Sequence, residues 1–339
     1  MNSFEYKHAL DAGEAMQLVA NEKSANFVAG GTNILDLWKY DIVHPTSLID
    51  INNLKDFSEI RELENGGIRI GAGVRNADTA YHPIIEKKYP LLSRAILAGA
   101  SAQIRNMASN GGNLLQRTRC YYFYDSEIDC NKKKPGSGCP ALNGYNRIHA
   151  ILGTSEHCIA VFPSDMCVAL AALDATVNTT STNGTRSISF KDFHRLPGDE
   201  PNLDNNLMPG ELITSIDLPD EGFVENHSYL KLRDRHSYAF ALVSVATAFK
   251  MDGDTISEAR IALGGVAHKP WRSIEAEDFL KGKHVNAENL AQAANIILIG
   301  AKGFGHNDFK VKLAKSAIIR NGLMTLNPDN QLPGAQPSE

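Results

Sequence analysis

The sequence has no long apolar run. No stretch of its 339 residues approaches the roughly 18 apolar residues that a membrane-spanning helix needs. The first ten residues carry Glu5 and no apolar core, so they do not form a secretory signal peptide. Neither sign of charge is in large excess. A formal net charge of −5 gives no reason to expect nucleic acid or an anionic membrane surface as partner. The hydrolase signatures G-x-S-x-G and H-E-x-x-H are missing. G-x-G-x-x-G is missing too, which argues against a Rossmann site. So is C-x-x-C, which excludes a zinc ribbon and a thioredoxin-like redox pair. Cysteine is scarce, at five residues, an odd number that cannot pair completely. Without an export pattern, metal ligation or plain burial is expected over disulfides.

What is present is organised. With 43% hydrophobic residues the chain can bury a sizeable core, and its length suggests two or three domains. The first 55 residues read β-α-β: strands near 4–6, 26–29 and 47–51, a helix over 11–21 and a helical turn at 34–39. A second block follows, with a strand at 68–72 after Asn65-Gly66-Gly67, and helices at 78–80, 84–88, 91–98 and 163–173. Strands at 176–180 and 186–189 flank Thr182-Asn183-Gly184. Pro219-Asp220-Glu221-Gly222 suggests a boundary near 219–226. Beyond it, strands are expected at 228–233, 241–250 and 256–263, and helices at 286–302 and 309–323.

Four of the cysteines, Cys120, Cys130, Cys139 and Cys158, fall in one region, with nine, eight and eighteen residues between them. The segment 117–148 is polar and aromatic and has no apolar periodicity. A loop of that length in a compact domain tends to be functional. Cys130 and Cys139 lie among Asn, Lys, Gly and Ser, which suits ligation better than burial. Four thiolates can hold zinc or an iron–sulfur cluster, and spacing does not choose between them. Cys167, in the apolar segment 166–173, reads as a core residue.

Two glycine turns complete the pattern. Val28-Ala29-Gly30-Gly31-Thr32-Asn33-Ile34 ends a strand in bare backbone that can wrap a pyrophosphate, although a lone Gly-Gly turn is more often structural. Ser109-Asn110-Gly111-Gly112-Asn113 repeats that composition about 80 residues later, flanked by Arg105 and Arg117. Two such turns can grip two parts of one extended dinucleotide. Lys231, Arg233 and Arg235 recur at period two. On a strand they would share one face, either solvated or turned toward a cofactor.

These turns, together with Asn113-Leu114-Leu115-Gln116-Arg117-Thr118-Arg119-Cys120, Pro135-Gly136-Ser137-Gly138-Cys139, Pro163-Ser164-Asp165-Met166, 237–246 and 262–267, resemble the FAD-binding medium subunit of the molybdenum hydroxylase (xanthine dehydrogenase) family. The resemblance covers nearly the whole chain. Most flavin subunits of the family lack the Cys-bearing insertion. It makes the chain most similar to the flavin and iron–sulfur subunit of bacterial periplasmic aldehyde oxidoreductases.

The resemblance implies an α+β fold. A two-lobed FAD-binding domain of the vanillyl-alcohol-oxidase/MurB (PCMH) type would occupy 1–222, with lobes at about 1–56 and 57–222 and the insertion at about 117–158. A smaller α+β domain of the CO dehydrogenase flavoprotein type would occupy 226–326, followed by a flexible tail at 327–339. FAD would be held by Asn26, Phe27, Val28, Ala29, Gly30, Gly31, Thr32, Asn33 and Ile34 of the first loop. Ser109, Gly112, Asn113, Asp165 and Lys231 would complete its site. Cys120, Cys130, Cys139 and Cys158 would bind a [4Fe–4S] cluster. The implied partners are a large molybdenum-cofactor subunit, a small [2Fe–2S] subunit, and an external acceptor such as ferredoxin or a quinone. No catalytic residue is expected on this chain. Its location would be the periplasm, reached by co-export with a signal-bearing partner, or otherwise the cytoplasm. Two other classes stay open: a stand-alone flavin oxidase of the same fold, and a zinc-stabilised assembly module without activity.

Overall fold

The computed structural model describes residues 2–330; of the tail expected at 327–339, Pro328–Asn330 form a 3-10 turn and 331–339 lie outside the described residues. Three sheets order the chain. The first is parallel, in the order β1 (Glu5–His8), β3 (Ser47–Asp50), β2 (Ala25–Val28). Helix Ala12–Ala20 makes the crossover and is capped by Asp11, which accepts from the Glu14 N–H at 2.9 Å. Its Ala15 packs against Ile49, Leu54 and Phe57.

The second sheet is antiparallel, in the order β4 (Ile60–Glu62), β5 (Ile68–Gly71), β8 (Leu212–Leu218), β6 (Thr176–Ser181), β7 (Gly184–Ser189). Arg69 and Asp217 face each other across β5 and β8 and close two hydrogen bonds of 2.7 and 2.6 Å. Helices Pro83–Lys88, Pro90–Ala98 and Asp165–Ala172 bury the apolar side of this sheet.

The third sheet runs β12 (Trp271–Arg272), β11 (Thr255–Gly264), β10 (Val243–Asp252), β9 (Asn226–Leu232), all antiparallel. Helices Ile274–Leu280, Ala287–Ile297 and Phe309–Met324 cover one face. The other face, through Tyr229, Ala246, Ala248 and Ala262, joins the core of the second sheet. Burial on both faces explains why Val243 to Phe249 is buried without alternation.

The structure departs from the sequence-based expectations in several places. The Gly-Gly-Asn turn is the start of a short helix, Asn110–Leu114, because the Ser109 hydroxyl accepts from the Gly112 N–H at 3.2 Å and caps it. Strand β9 stops at Leu232; Arg233 still reaches the Ala98 carbonyl at 3.1 Å, the acceptor that Lys231 shares, whereas Arg235 turns away to the Tyr238 carbonyl at 3.0 Å. The central strand β8 and helix Ile274–Leu280 had no expected counterpart. The segment 117–148 is almost free of regular structure, with helix Tyr121–Tyr124 and a 3-10 turn at Pro140–Leu142. Among the described residues no helix is long and apolar enough to cross a membrane.

Four histidines, His149, His194, His227 and His268, are buried, and burial is the first cause that brings each down to about 4. Unfolded imidazoles take up protons near 6.5. Between about pH 6.5 and 4 the unfolded chain therefore binds more protons than the folded one. Stability is complete above that window and falls as pH drops through it, by up to ~1.4 kcal/mol per pH unit for each ring. Urea midpoints at pH 7.5, 6, 5 and 4.5 should already fall between the first two and decline more steeply below pH 6. A level profile throughout would show that these rings are not held neutral.

Candidate cofactor groove and cysteine loop

Strand β2 delivers the chain into Ala29-Gly30-Gly31-Thr32, and helix Ile34–Lys39 carries it away. Gly30 is obligatory at this point, because a Cβ there would lie 1.7 Å from the carbonyl oxygen of Met107, just ahead of the second turn. Gly31 has φ +71°, in the left-handed region. The Asn33 carboxamide oxygen accepts from the Arg117 N–H at 3.0 Å, while its Nδ2 is buried without a partner.

The second turn is fixed by a side-chain network. Asn113 donates to Asn76 at 2.7 Å, and its Oδ1 accepts from Ser164 at 2.6 Å and Gln116 at 2.9 Å. Ser164 in turn caps helix Asp165–Ala172. The same turn thus sets the position of Asp165.

Three adjoining cavities follow these elements, of about 380, 560 and 210 Å³. The first two share Thr32, Asn33 and Gly112. The last two share Arg119, Asp234, Ala239 and Phe240. Together they form an elongated groove between the first lobe, the second lobe and the C-terminal domain. Of the predicted flavin residues, Asn26, Phe27, Ala29, Gly30, Gly31, Thr32, Asn33, Ile34, Ser109 and Gly112 line the first cavity. Asn113 lines the second and Asp165 the third.

Two predicted residues do not line the groove. Val28 is buried against Trp38 and Leu48. Lys231 lies behind Asp165, its ammonium 2.8 Å from Oδ2 and 3.1 Å from the Ala98 carbonyl. The solvated face considered for Lys231 is therefore incorrect: helices Pro90–Ala98 and Asp165–Ala172 pack over it. Asp165 also accepts from the Tyr229 hydroxyl at 2.7 Å. Burial and then this carboxylate push that phenol well up.

Sequence reasoning did not single out Arg119, Asp234 or Phe240 as groove residues. Arg119 follows directly from the motif that ends in Cys120. Its Nη1 donates to Asp36 at 2.7 Å, its guanidinium lies 5.0 Å from the Phe240 ring, and its Nε is buried without a partner. The orphaned donors of Asn33 and Arg119, set in an elongated groove with bare glycine backbone, fit a ligand rich in oxygen acceptors such as a dinucleotide.

Cys120, Cys130 and Cys158 are buried in one cluster with Leu37, Phe123 and Ala160. Cys139 is half-buried and hydrogen-bonded with Cys158. Asn131 shapes the loop: its N–H donates to the Gly138 carbonyl at 2.9 Å, its Oδ1 accepts from the Gly138 N–H at 2.8 Å, and its Nδ2 donates to the His157 carbonyl at 2.9 Å. Lys310, fully buried, fastens the loop from below through the carbonyls of His149 (2.7 Å) and Gly265 (2.6 Å). Burial, then Arg147, brings this ammonium down to about 7. His149 Nε2 lies 3.0 Å from the Cys120 sulfur.

Burial pushes the Cys120 thiol up to about 12. Cys139 is driven down, first by the Cys158 thiol and then by the backbone N–H groups of Ile159, Ala141 and Leu142, while Cys158 is driven up. Among the described residues no three of His, Cys, Asp and Glu converge closely enough to hold a single metal ion. A cuboidal centre keeps its cysteines farther apart than one ion does. Four thiols with N–H donors and apolar walls match such a centre in chemistry. Cys167 stands apart in the core of helix Asp165–Ala172.

The chain matches two family models end to end: an FAD binding domain in molybdopterin dehydrogenase over residues 2–221, and a CO dehydrogenase flavoprotein C-terminal domain over 228–322. It is 49% identical to the aldehyde oxidoreductase FAD-binding subunit PaoB of Escherichia coli K12, across 94% of this chain and 96% of that protein. It is 27% identical to the carbon monoxide dehydrogenase medium chain of Hydrogenophaga pseudoflava, across 94% and 95%. Among solved structures it resembles carbon monoxide dehydrogenase from that organism (TM-score 0.75, 25% identity, 96% and 97% covered). Quinoline 2-oxidoreductase from Pseudomonas putida 86 is equally near (TM-score 0.74, 25%, 96% and 98%). With an FAD-domain model matched over most of its length and a half-identical relative along nearly all of it, the chain belongs to the FAD-binding medium subunits of the molybdenum hydroxylases, and it is an oxidoreductase subunit.

Proposed function

We propose that this chain is the FAD- and [4Fe–4S]-carrying electron-transfer subunit of a molybdenum-dependent aldehyde oxidoreductase. It would pass electrons from a [2Fe–2S] subunit to an external acceptor such as ferredoxin or a quinone while a large molybdenum subunit oxidises aldehydes to carboxylic acids. The observation that carries the reading is the adjacency of Arg119, which lines the groove, to Cys120, the first cysteine of the loop. Aldehydes as substrate rest on the likeness to PaoB. The periplasmic location rests on the resemblance alone and would be tested by fractionating the native complex.

When bound, FAD supplies one- and two-electron chemistry and an iron–sulfur centre supplies one-electron chemistry. The chain's own residues bind, orient and shield. The bare backbone at Gly30 and Gly31 and the hydroxyls of Thr32 and Ser109 would face the phosphates. The Arg119 cation would sit by the groove's middle section, and Asp165, steadied by Lys231 and Tyr229, at its far end. Cys120, Cys130, Cys139 and Cys158 would hold the cluster, with Phe123 and Leu37 excluding water. A zinc-stabilised module is less well matched, since no three ligands converge on one ion among the described residues.

Gly112 gives a clean test of the groove. A Cβ there meets only the Ser109 hydroxyl, at 3.0 Å, and the residue lines both larger cavities. Gly112→Leu should leave complex assembly intact and weaken FAD binding roughly tenfold or more, since overpacking costs about 1–3 kcal/mol. Normal flavin content and affinity would refute the assignment. Gly30 and Gly31 are poorer choices, because backbone contact and positive φ would distort the fold itself.

For the cluster, metal analysis of the native complex should find about four irons on this chain. Cys139→Ser should lose most of them and Cys167→Ser none. Zinc in place of iron, or iron unaffected by Cys139→Ser, would reject the ligand set.

A further inference from the structure

Asp204 lies in the irregular segment between β7 and β8, far in sequence from the groove and from the cysteines. Its carboxylate nevertheless touches the machinery of both. Oδ2 accepts from Arg117 Nε at 2.7 Å, and Oδ1 accepts from Lys132 Nζ at 2.5 Å. Arg117 lines the first cavity, and its backbone N–H holds Asn33 of the first glycine loop at 3.0 Å. Its guanidinium carbon is 4.8 Å from the centre of the Phe123 ring, which packs on Cys120, Cys130 and Cys158. Lys132, two residues beyond Cys130, has a side chain only 1% exposed. Its ammonium also meets the Pro201 carbonyl at 2.6 Å and His268 Nε2 at 2.7 Å. Neighbouring Asn131 binds the residues next to Cys139 and Cys158.

A continuous path of hydrogen bonds thus runs Asn33, Arg117, Asp204, Lys132, with the peptide link to Asn131 leading on to Gly138 and His157. Only one carboxylate on this path separates two cations. Removing it leaves Lys132 buried and uncompensated, and the loop must move to solvate it. We infer that Asp204 is a positioning residue that couples occupancy of the flavin groove to retention of iron by the cysteine loop. The inference rests on the reading of groove and loop given above. A ligand that immobilises Asn33 and Arg117 also immobilises Asp204, and with it Lys132 and the Cys130–Cys139 turn. Linkage makes the effect on affinity mutual: flavin tightens iron, read here as slower iron loss, and iron tightens flavin.

The test uses the native complex, with and without FAD removed, and follows transfer of iron to a ferrous chelator. In the parent complex, removing flavin should speed iron loss by about tenfold, within the usual range of coupling between sites. Asp204→Asn should lose iron rapidly in both states. The double variant Asp204→Asn with Lys132→Met removes the stranded cation. It should retain iron longer than Asp204→Asn alone, at a rate indifferent to flavin, which a merely structural role would not produce. Flavin-independent iron loss in the parent, or a flavin effect that survives in the double variant, overturns the coupling. If the parent holds no iron, the cluster assignment fails by itself. The coupling is then judged by hydrogen exchange of residues 130–139, which flavin should protect in the parent and not in the double variant. Equal protection in the two would refute it.

Discussion

The groove exists because two loops some eighty residues apart touch at backbone level. At Gly30 even a methyl group would overlap the Met107 carbonyl. That contact brings the end of the small parallel sheet against the start of helix Asn110–Leu114, and Arg75 ties the same corner through the Asn106 and Met107 carbonyls. Everything built on the groove inherits this approach: the Asn33–Arg117 bond, the position of Arg119 and hence the entry of the chain into Cys120. A fold that kept the lobes slightly apart would lose the narrow site and also the register of the cysteine loop.

Three buried lysines hold the remaining walls together, one at each junction. Lys231 joins β9 to helices Pro90–Ala98 and Asp165–Ala172, Lys310 joins the last long helix to the cysteine loop, and Lys132 joins that loop to the 201–204 segment. Burying an ammonium is costly, and a buried pair contributes little net stability once desolvation is counted. What each lysine supplies is direction. A buried ammonium has three donors and must keep acceptors from several elements close to it. Apolar packing alone would tolerate small shifts between the lobes. These contacts do not, and a long ligand spanning three elements needs that rigidity.

Local chemistry made much of this legible in the sequence. Asp11 and Ser164 cap helices where helices were expected to begin, and β2 leads into Gly30-Gly31 as strand-then-glycine patterning suggests, whereas Ser109 read as part of a turn and caps a helix. Strands β10 and β11 were readable from their apolar runs. What escaped was long-range. Lys231 carries no mark of burial, since period two says which residues share a face but not what covers that face. Strand β8 lies between partners from distant parts of the chain. Asp204 sits in a run of Pro, Asn and Asp that reads as ordinary loop, and its importance comes wholly from Arg117 and Lys132, 87 and 72 residues away.

The cysteine loop poses a separate physical problem. Little regular hydrogen bonding stabilises residues 117–148, so their order depends on side-chain bonds from Asn131, Lys132 and Lys310 and on what the sulfurs hold. Burial favours the protonated form of Cys120, whose sulfur lies 3.0 Å from His149 Nε2. Iron, if bound as proposed, would reverse that balance, because metal charge displaces the protons and the backbone N–H groups around Cys139 would then meet a true anion. The backbone N–H groups of Ile159, Ala141 and Leu142 face Cys139 and favour its thiolate. If the loop takes up iron as proposed, the flavin groove next to it is set by the same residues that close the loop.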